Sequence, residues 1–372
     1  MKLIEKLSCN AIFLIIIFFV FIKFLFIFKK PLLSDDIYRY LWEAKVLLKG
    51  FNPYILPPSS KKLIFLHDKI YNFINHKNLP SIYPPVMLYF SAIIVKICYS
   101  IEFYKFTLFL IDIANFFIII LILHNIQKPL RYSLFYLIHP LTTIEIEWSG
   151  HNEVIMIFFI LLGILFLLKN RNTLKIVFFT MSVFTKYIYG IFIKDFIKNK
   201  KDFFAFIFIA MIFYLPFIND FFRDFFSLKV YLYSWEFNGS LYKILTIFIK
   251  NKFMVRIILG ILFIFMWIFI NVKVKDIFKR FVYLLTALII VSPTVHPWYG
   301  LWLLPFLCFR FELMLYIFLM LLPFSYYVLI DYFKYGIWHE NNLICFFIYL
   351  PIITFILQLF SRKLKNKKFM KI

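Results

Sequence analysis

Acidic charge, glycine, proline and cysteine are all scarce in this chain of 372 residues. Asp and Glu together number 19, Gly 8, Pro 15 and Cys 4. So little glycine and proline excludes a collagen-like or low-complexity chain, and 63% hydrophobic residues exclude disorder. The cysteines Cys9, Cys98, Cys308 and Cys345 sit inside apolar runs without metal-ligand spacing. They read as small packed residues, not as bridges or ligands. No glycine-rich phosphate loop, zinc spacing, Gly-x-Ser-x-Gly elbow or small-xxx-small series occurs, which argues against an ATP-driven pump.

What is present is apolar and aromatic. Phe, Tyr and Trp make up 23% of the chain, charged residues 16%, and the mean hydropathy is +0.86. Soluble domains carry about 25% charged residues, so a soluble enzyme is disfavoured. Runs near 20 apolar residues, each able to cross about 30 Å of hydrocarbon, recur throughout. They imply an all-α, polytopic integral membrane protein with about 10–13 transmembrane helices. After a first span over Cys9 to Phe28, the candidates are roughly 84–101, 104–123, 132–148, 152–168, 174–194, 203–219, 253–271, 281–297, 299–309, 311–330 and 343–360. The whole chain reads as one membrane-embedded domain, with a polar first loop at 31–82 and a basic tail at 361–372.

The net charge of +23 comes from 34 Lys and only eight Arg. Lys is enriched alongside Phe, Ile, Asn and Tyr, as an A/T-rich genome produces, so the charge reads as codon bias plus cytoplasmic anchoring and not as nucleic-acid binding. The basic lead Met1 to Lys6 and the tail residues Arg362, Lys363, Lys365, Lys367, Lys368 and Lys371 put both termini in the cytoplasm. From residue 203 onward the charge rule agrees with the span count. Lys273, Lys275, Lys279 and Arg280 fall inside, whereas 220–240, His296 and 331–342 fall outside. Simple alternation places Lys128, Arg131, Lys169, Arg171 and Lys175 outside, against the rule. A re-entrant or broken helix among 132–148 and 174–194 would repair this.

Four segments carry candidate chemistry. From Ser34 to Gly50, Ile37, Tyr40, Leu41, Ala44, Leu47 and Leu48 trace one helical face, which predicts an amphipathic helix lying in the membrane interface, capped by Ser34 and ended by Gly50. Asp36, Arg39 and Glu43 neighbour one another on another face; acidic residues there also complement the helix dipole. Lys186 sits mid-way along the 174–194 run, where a lysine either faces a polar cavity and suits a phosphate or snorkels to the interface. Trp148-Ser149-Gly150-His151-Asn152-Glu153, with Glu145 and Glu147 upstream, is more polar than a tight turn requires, unless it is a hydrated cap. Ser292-Pro293-Thr294-Val295-His296-Pro297-Trp298-Tyr299 breaks an apolar stretch with two prolines, so it faces protein or water. His296 there is either a proton or phosphate partner or part of an aromatic belt.

Asp35-Asp36-Ile37-Tyr38-Arg39-Tyr40-Leu41-Trp42-Glu43, leading to Gly50-Phe51-Asn52-Pro53-Tyr54, resembles the first outer loop of GT-C membrane glycosyltransferases. It is most similar to bacterial polyprenyl-phosphomannose-dependent mannosyltransferases and more loosely to the GPI-anchor first mannosyltransferase. Tyr83-Pro84-Pro85, His139-Pro140-Leu141-Thr142, Gly150-His151-Asn152-Glu153, Thr185-Lys186-Tyr187 and Ser292-Pro293 through Trp298-Tyr299 keep the family order. The resemblance implies a GT-C fold in the inner (plasma) membrane. It implies transfer of a hexose, mannose first, from a polyprenyl-phosphate donor to a glycan or glycolipid acceptor on the outer face, with inversion. It places the base at Asp36, with Asp35 as the alternative; the charge that develops on a departing phosphate calls for cations, for which Lys186, His296 and Arg39 are the candidates. Glu43, Tyr38, His151, Asn152, Glu153, Trp298 and Tyr299 are the candidates for binding substrate or acceptor. No cofactor is implied, and a divalent cation is left open. The chain departs from the mannosyltransferase pattern at Glu43-Ala44, where an acidic residue followed by Gly is common. The competing readings are a lipid-linked glycan flippase, for which no repeated halves are visible, and an O-antigen-type ligase, whose large outer loop usually comes late.

Overall fold

A computed structural model describes residues 7–220 and 225–369, the side chains of 218–220 and 362–369 excepted. The basic lead Met1 to Lys6, residues 221–224 of the expected outer loop and the charged side chains of the tail lie outside the described residues. The described chain is helical with no strand, and it divides into two compact units, Met1–Trp235 and Glu236–Ile372.

In the first unit, helix α1 (Cys9–Phe26) is capped by Ser8, whose Oγ accepts from the Ala11 amide at 3.2 Å. Phe13, Leu14, Ile17, Phe18 and Phe21 are exposed on it while Lys23 is wholly buried. That is the pattern of a lipid-facing helix with one polar residue turned to the protein interior. The first-loop helix α2 (Asp36–Leu48) starts where Ser34 Oγ accepts from the Asp36 amide at 3.3 Å, and its exit runs through Gly50 at φ +78°. Its apolar face does not rest on the membrane interface as the periodicity predicts. Ile37, Tyr40, Leu41 and Ala44 are buried against protein, and Trp42 and Val46 on the other side pack with Leu63, Leu66 and Ile74 of the same loop. Periodicity shows which face is apolar, not what covers it.

Helix α3 (Pro85–Ile97) has 13 residues, about 20 Å at 1.5 Å per residue, too short for a bilayer core. Both its ends lie at the first loop. Before it, the Tyr54 hydroxyl donates to Tyr83 O at 2.7 Å. After it, Lys45 Nζ lies 5.2 Å from the Tyr99 ring centroid. The expected 84–101 span therefore runs beside α2 and does not cross. Helix α4 (Ile101–Asn125) starts from the same side, where Lys105 Nζ donates to Phe26 O at 3.0 Å and Lys29 O at 2.7 Å, at the end of α1. It carries the chain away from the loop, so Lys128 and Arg131 stand at the opposite end.

The 132–148 run is broken into short pieces that end in a π-helical turn, Thr143–Trp148, and Pro140–Trp148 is bent by 119° against helix α5 (Glu153–Leu168). The 174–194 run is also broken. Helix α6 (Asn172–Val183) stops before Lys186, which is extended at φ −151°, ψ 134°, and the chain returns through Tyr187–Phe192 and Ile193–Phe196. Lys175 on α6 pairs at 3.0 Å with Asp202 on helix α7 (Lys200–Tyr214), away from the loop. The sequence conflict with the charge rule thus disappears through α3 together with these breaks.

The second unit contains α8 (Lys252–Lys273), capped by Asn251 Oδ1, α9 (Ile277–Val291) and α10 (Gly300–Phe309). Among the described residues five helices are long and apolar enough to cross a membrane, six if the bent pair is one span, and three apolar helices are shorter. The architecture is that of a polytopic all-α membrane protein. The lower count than the expected 10–13 arises because hydropathy registers apolar runs, whereas the turns at His139-Pro140 and Phe184–Lys186 cut two of those runs and α3, α7, α9 and α10 form helices of only 13, 15, 15 and 10 residues.

Candidate active site

Asp36 stands on the first turn of α2 with 21% of its side chain exposed. The Asn75 amide reaches both neighbouring carboxylates, donating to Asp36 Oδ1 at 3.0 Å and to Asp35 Oδ1 at 2.7 Å. Asp35 is open to solvent, yet the protein crowding its carboxyl strips hydration from the charged form and Asp36 repels it, which pushes its pKa up to about 6. The buried hydroxyls of Tyr40 and Tyr83 lie close enough to feel the Asp36 charge, and burial first, then neighbouring charge, raises both well above the ordinary phenol value.

Behind Asp36 lies the 149–153 turn. Gly150 has φ +79°, and a Cβ there would sit 2.4 Å from Ile37 Cδ1, so glycine is required by conformation and by the approach of α2 alike. That approach puts His151 Nδ1 3.9 Å from Asp36 Oδ2, with Nε2 3.4 Å from Glu145 Oε2. Asn152 is fully buried and accepts from the Tyr104 hydroxyl at 2.9 Å. Glu153, also fully buried, accepts a hydrogen bond from Lys186, and its carboxylate is close enough to interact with the Asp36 charge. Lys186 keeps 16% of its side chain exposed. An accessible carboxylate and an accessible ammonium, the latter paired with a buried glutamate that feels the carboxylate's charge, therefore occupy the loop end of the first unit.

Arg39 and Glu43 are engaged otherwise. Arg39 Nε donates to Glu43 Oε1 at 2.7 Å. Its Nη1 donates to Asn75 O at 3.3 Å and His76 O at 3.1 Å, and its Nη2 to Leu79 O at 2.5 Å and Pro80 O at 2.7 Å. All five N–H groups of the guanidinium are thus directed at protein acceptors. Glu43 Oε2 accepts from Ser81 Oγ at 2.6 Å; burial raises the carboxyl's pKa, with Arg39 and Ser81 pulling the other way. This pair pins the 75–81 segment that carries Asn75. Tyr38 is half-buried and stacks on Phe73 at 5.0 Å. His296, Trp298 and Tyr299 belong to the second unit. There the His296 ring lies 4.2 Å from Trp298 and 4.9 Å from Phe237, and Tyr299 stacks on Trp302 at 3.9 Å.

Sequence reasoning missed Asn75, Ser81 and a fully buried ionic cluster. Lys23 Nζ lies 2.9 Å from Asp112 Oδ2 and 3.2 Å from Glu147 Oε2 and donates to Thr142 Oγ1 at 2.7 Å; the Tyr136 hydroxyl donates to Asp112 Oδ1 at 2.5 Å. The available signal was charge inside apolar runs, which applies to Lys23 and Asp112 as it does to Lys186. Among the described residues no group of three or more His, Cys, Asp or Glu side chains is arranged to hold a metal ion.

Residues 23–197 match the family model described as alpha-(1->6)-mannopyranosyltransferase, N-terminal domain, of the MptA/B family. The matched region holds Asp36, His151, Glu153 and Lys186, while His296, Trp298 and Tyr299 lie beyond it. No curated protein matches the chain. The match decides for an enzyme over a transporter. Over residues 23–197 the chain is similar to this alpha-(1->6)-mannopyranosyltransferase domain, a match that identifies a membrane glycosyltransferase of the GT-C type.

Proposed function

We propose that the protein transfers mannose from a polyprenyl-phosphate donor to a hydroxyl of a glycan or glycolipid on the extracytoplasmic face, in one displacement that inverts the anomeric centre. An acceptor hydroxyl is a poor nucleophile, so a carboxylate must take its proton as the new C–O bond forms. Asp36 is suited to this: it is accessible, it is anchored by Asn75, and it belongs to the matched region. As the sugar–phosphate bond breaks, the phosphate leaves with the bonding electrons and develops charge that a cation stabilises. Lys186 supplies that cation, with Glu153 holding the ammonium in place.

The reading is carried by accessible Asp36 and accessible Lys186 on either side of buried Glu153, which pairs with Lys186 and feels the Asp36 charge. The test is an assay of the purified protein with polyprenyl-phosphate mannose. Asp36→Asn is expected to lower transfer by about 10²–10⁴-fold, the range of general-base catalysis, with donor binding retained. Wild-type turnover by Asp36→Asn removes the proposed base.

A further inference from the structure

We infer that His151, oriented by Glu145, is a positioning residue for Asp36: it fixes the carboxylate so that one oxygen faces the acceptor hydroxyl. This rests on the reading of Asp36 as the base. His151 is fully buried, and each ring nitrogen faces a carboxylate oxygen, Asp36 Oδ2 at 3.9 Å and Glu145 Oε2 at 3.4 Å. A neutral imidazole has one N–H and one lone pair, so it can offer a donor to only one of these carboxylates at a time; the 3.9 Å to Asp36 is a close electrostatic approach, not a hydrogen bond. The ring is thus wedged between Asp36 and Glu145, which is itself fully buried.

The two oxygens of Asp36 are thereby differentiated. Oδ2 faces the ring, and Oδ1 faces the Asn75 amide at 3.0 Å with a second lone pair remaining for the acceptor proton. The charged groups around this carboxylate are Asp35, Arg39 and Glu43 from its own segment and Glu153 with Lys186 from the turn and the break. None of them bonds Oδ2.

The backbone reinforces the arrangement. Glu145 lies in the π-helical turn, and the His151 amide donates to Glu145 O at 2.8 Å, so the turn folds His151 back over Glu145. Two residues on, Glu147 is clamped by Lys23 and the Asp112 carboxylate lies beside it, which ties the turn to α1 and α4. Irregular π turns concentrate where a side chain must be aimed against helical periodicity.

The experiment compares His151→Leu, His151→Gln and Glu145→Gln in the full-length protein, with polyprenyl-phosphate mannose and an acceptor that the wild type uses. His151→Leu and Glu145→Gln are expected to lower kcat about 10²-fold, the typical effect of losing one aimed donor, with both KM values within about threefold. His151→Gln keeps an N–H donor and is expected to recover about tenfold of that loss. A wild-type kcat in His151→Leu, a loss no smaller in His151→Gln, or a change confined to KM each overturns the inference. If His151→Leu fails to fold, Glu145→Gln, which preserves shape, carries the test. Asp36→Asn is measured alongside. If it is inactive while the His151 and Glu145 variants match wild type, only the positioning role falls; if it is active, the base reading falls first.

Discussion

Arg39 shows how far the role of a charged residue depends on its surroundings. Three positions from a carboxylate, in the polar first loop, it is an obvious partner for the leaving phosphate of the proposed reaction. In the structure it is buried, spanning four backbone carbonyls and the Glu43 carboxylate. The planar fork of arginine matches that set and an ammonium does not, so Arg39→Lys leaves several of these acceptors and the buried Glu43 without a full complement of donors. The expected cost is about 3 kcal/mol, read as a lower unfolding temperature with the donor KM nearly unchanged in the protein that remains folded. Unchanged stability with a raised donor KM would restore Arg39 to the phosphate. Lys186 differs because its ammonium meets one carboxylate and still reaches solvent.

At the scale of elements, the geometry of the proposed site depends on how closely α2 approaches the 149–153 turn. Ile37 and Gly150 make the contact, and Asp36 and His151, the adjacent residue in each segment, face one another because of it. Gly150→Ala adds a methyl group 2.4 Å from Ile37 Cδ1 at a backbone conformation alanine disfavours. The variant is expected to lose at least about tenfold in kcat/KM, since a displacement near 1 Å at a reacting group is costly. Ile37→Val removes the clashing methyl, so the double variant is expected to recover part of the activity but none of the φ strain, a non-additivity that a double-mutant cycle measures. Additive losses would mean that the contact does not set the site.

The same elements show what was legible beforehand. The α2 periodicity, the stop at Gly50 and the polar 148–153 turn follow from local chemistry, and the sequence displays them. The Asn75 bridge, the Arg39 staple and the Lys23–Asp112–Glu147 cluster join residues dozens of positions apart, and no local pattern encodes those pairings.

For the membrane-embedded first unit, the non-crossing α3 decides topology. With α3 beside α2, α4 and α5 both lead away from the loop, so Lys128, Arg131, Lys169 and Arg171 gather at the end opposite Asp36. Lysine and arginine in short connections are retained in the cytoplasm, so the Asp36 end is expected outside. The prediction is made in a chain whose cysteines 9, 98, 308 and 345 are replaced by alanine. A cysteine placed at the exposed Lys62 should react with a membrane-impermeant maleimide in intact cells, and one placed at the exposed Lys169 only after permeabilisation. If residues 84–101 crossed the bilayer, every later segment of this unit would be inverted and both positions would react from outside. Labelling at both in intact cells would therefore reinstate that crossing, and the opposite pattern at each would turn the proposed active site toward the cytoplasm.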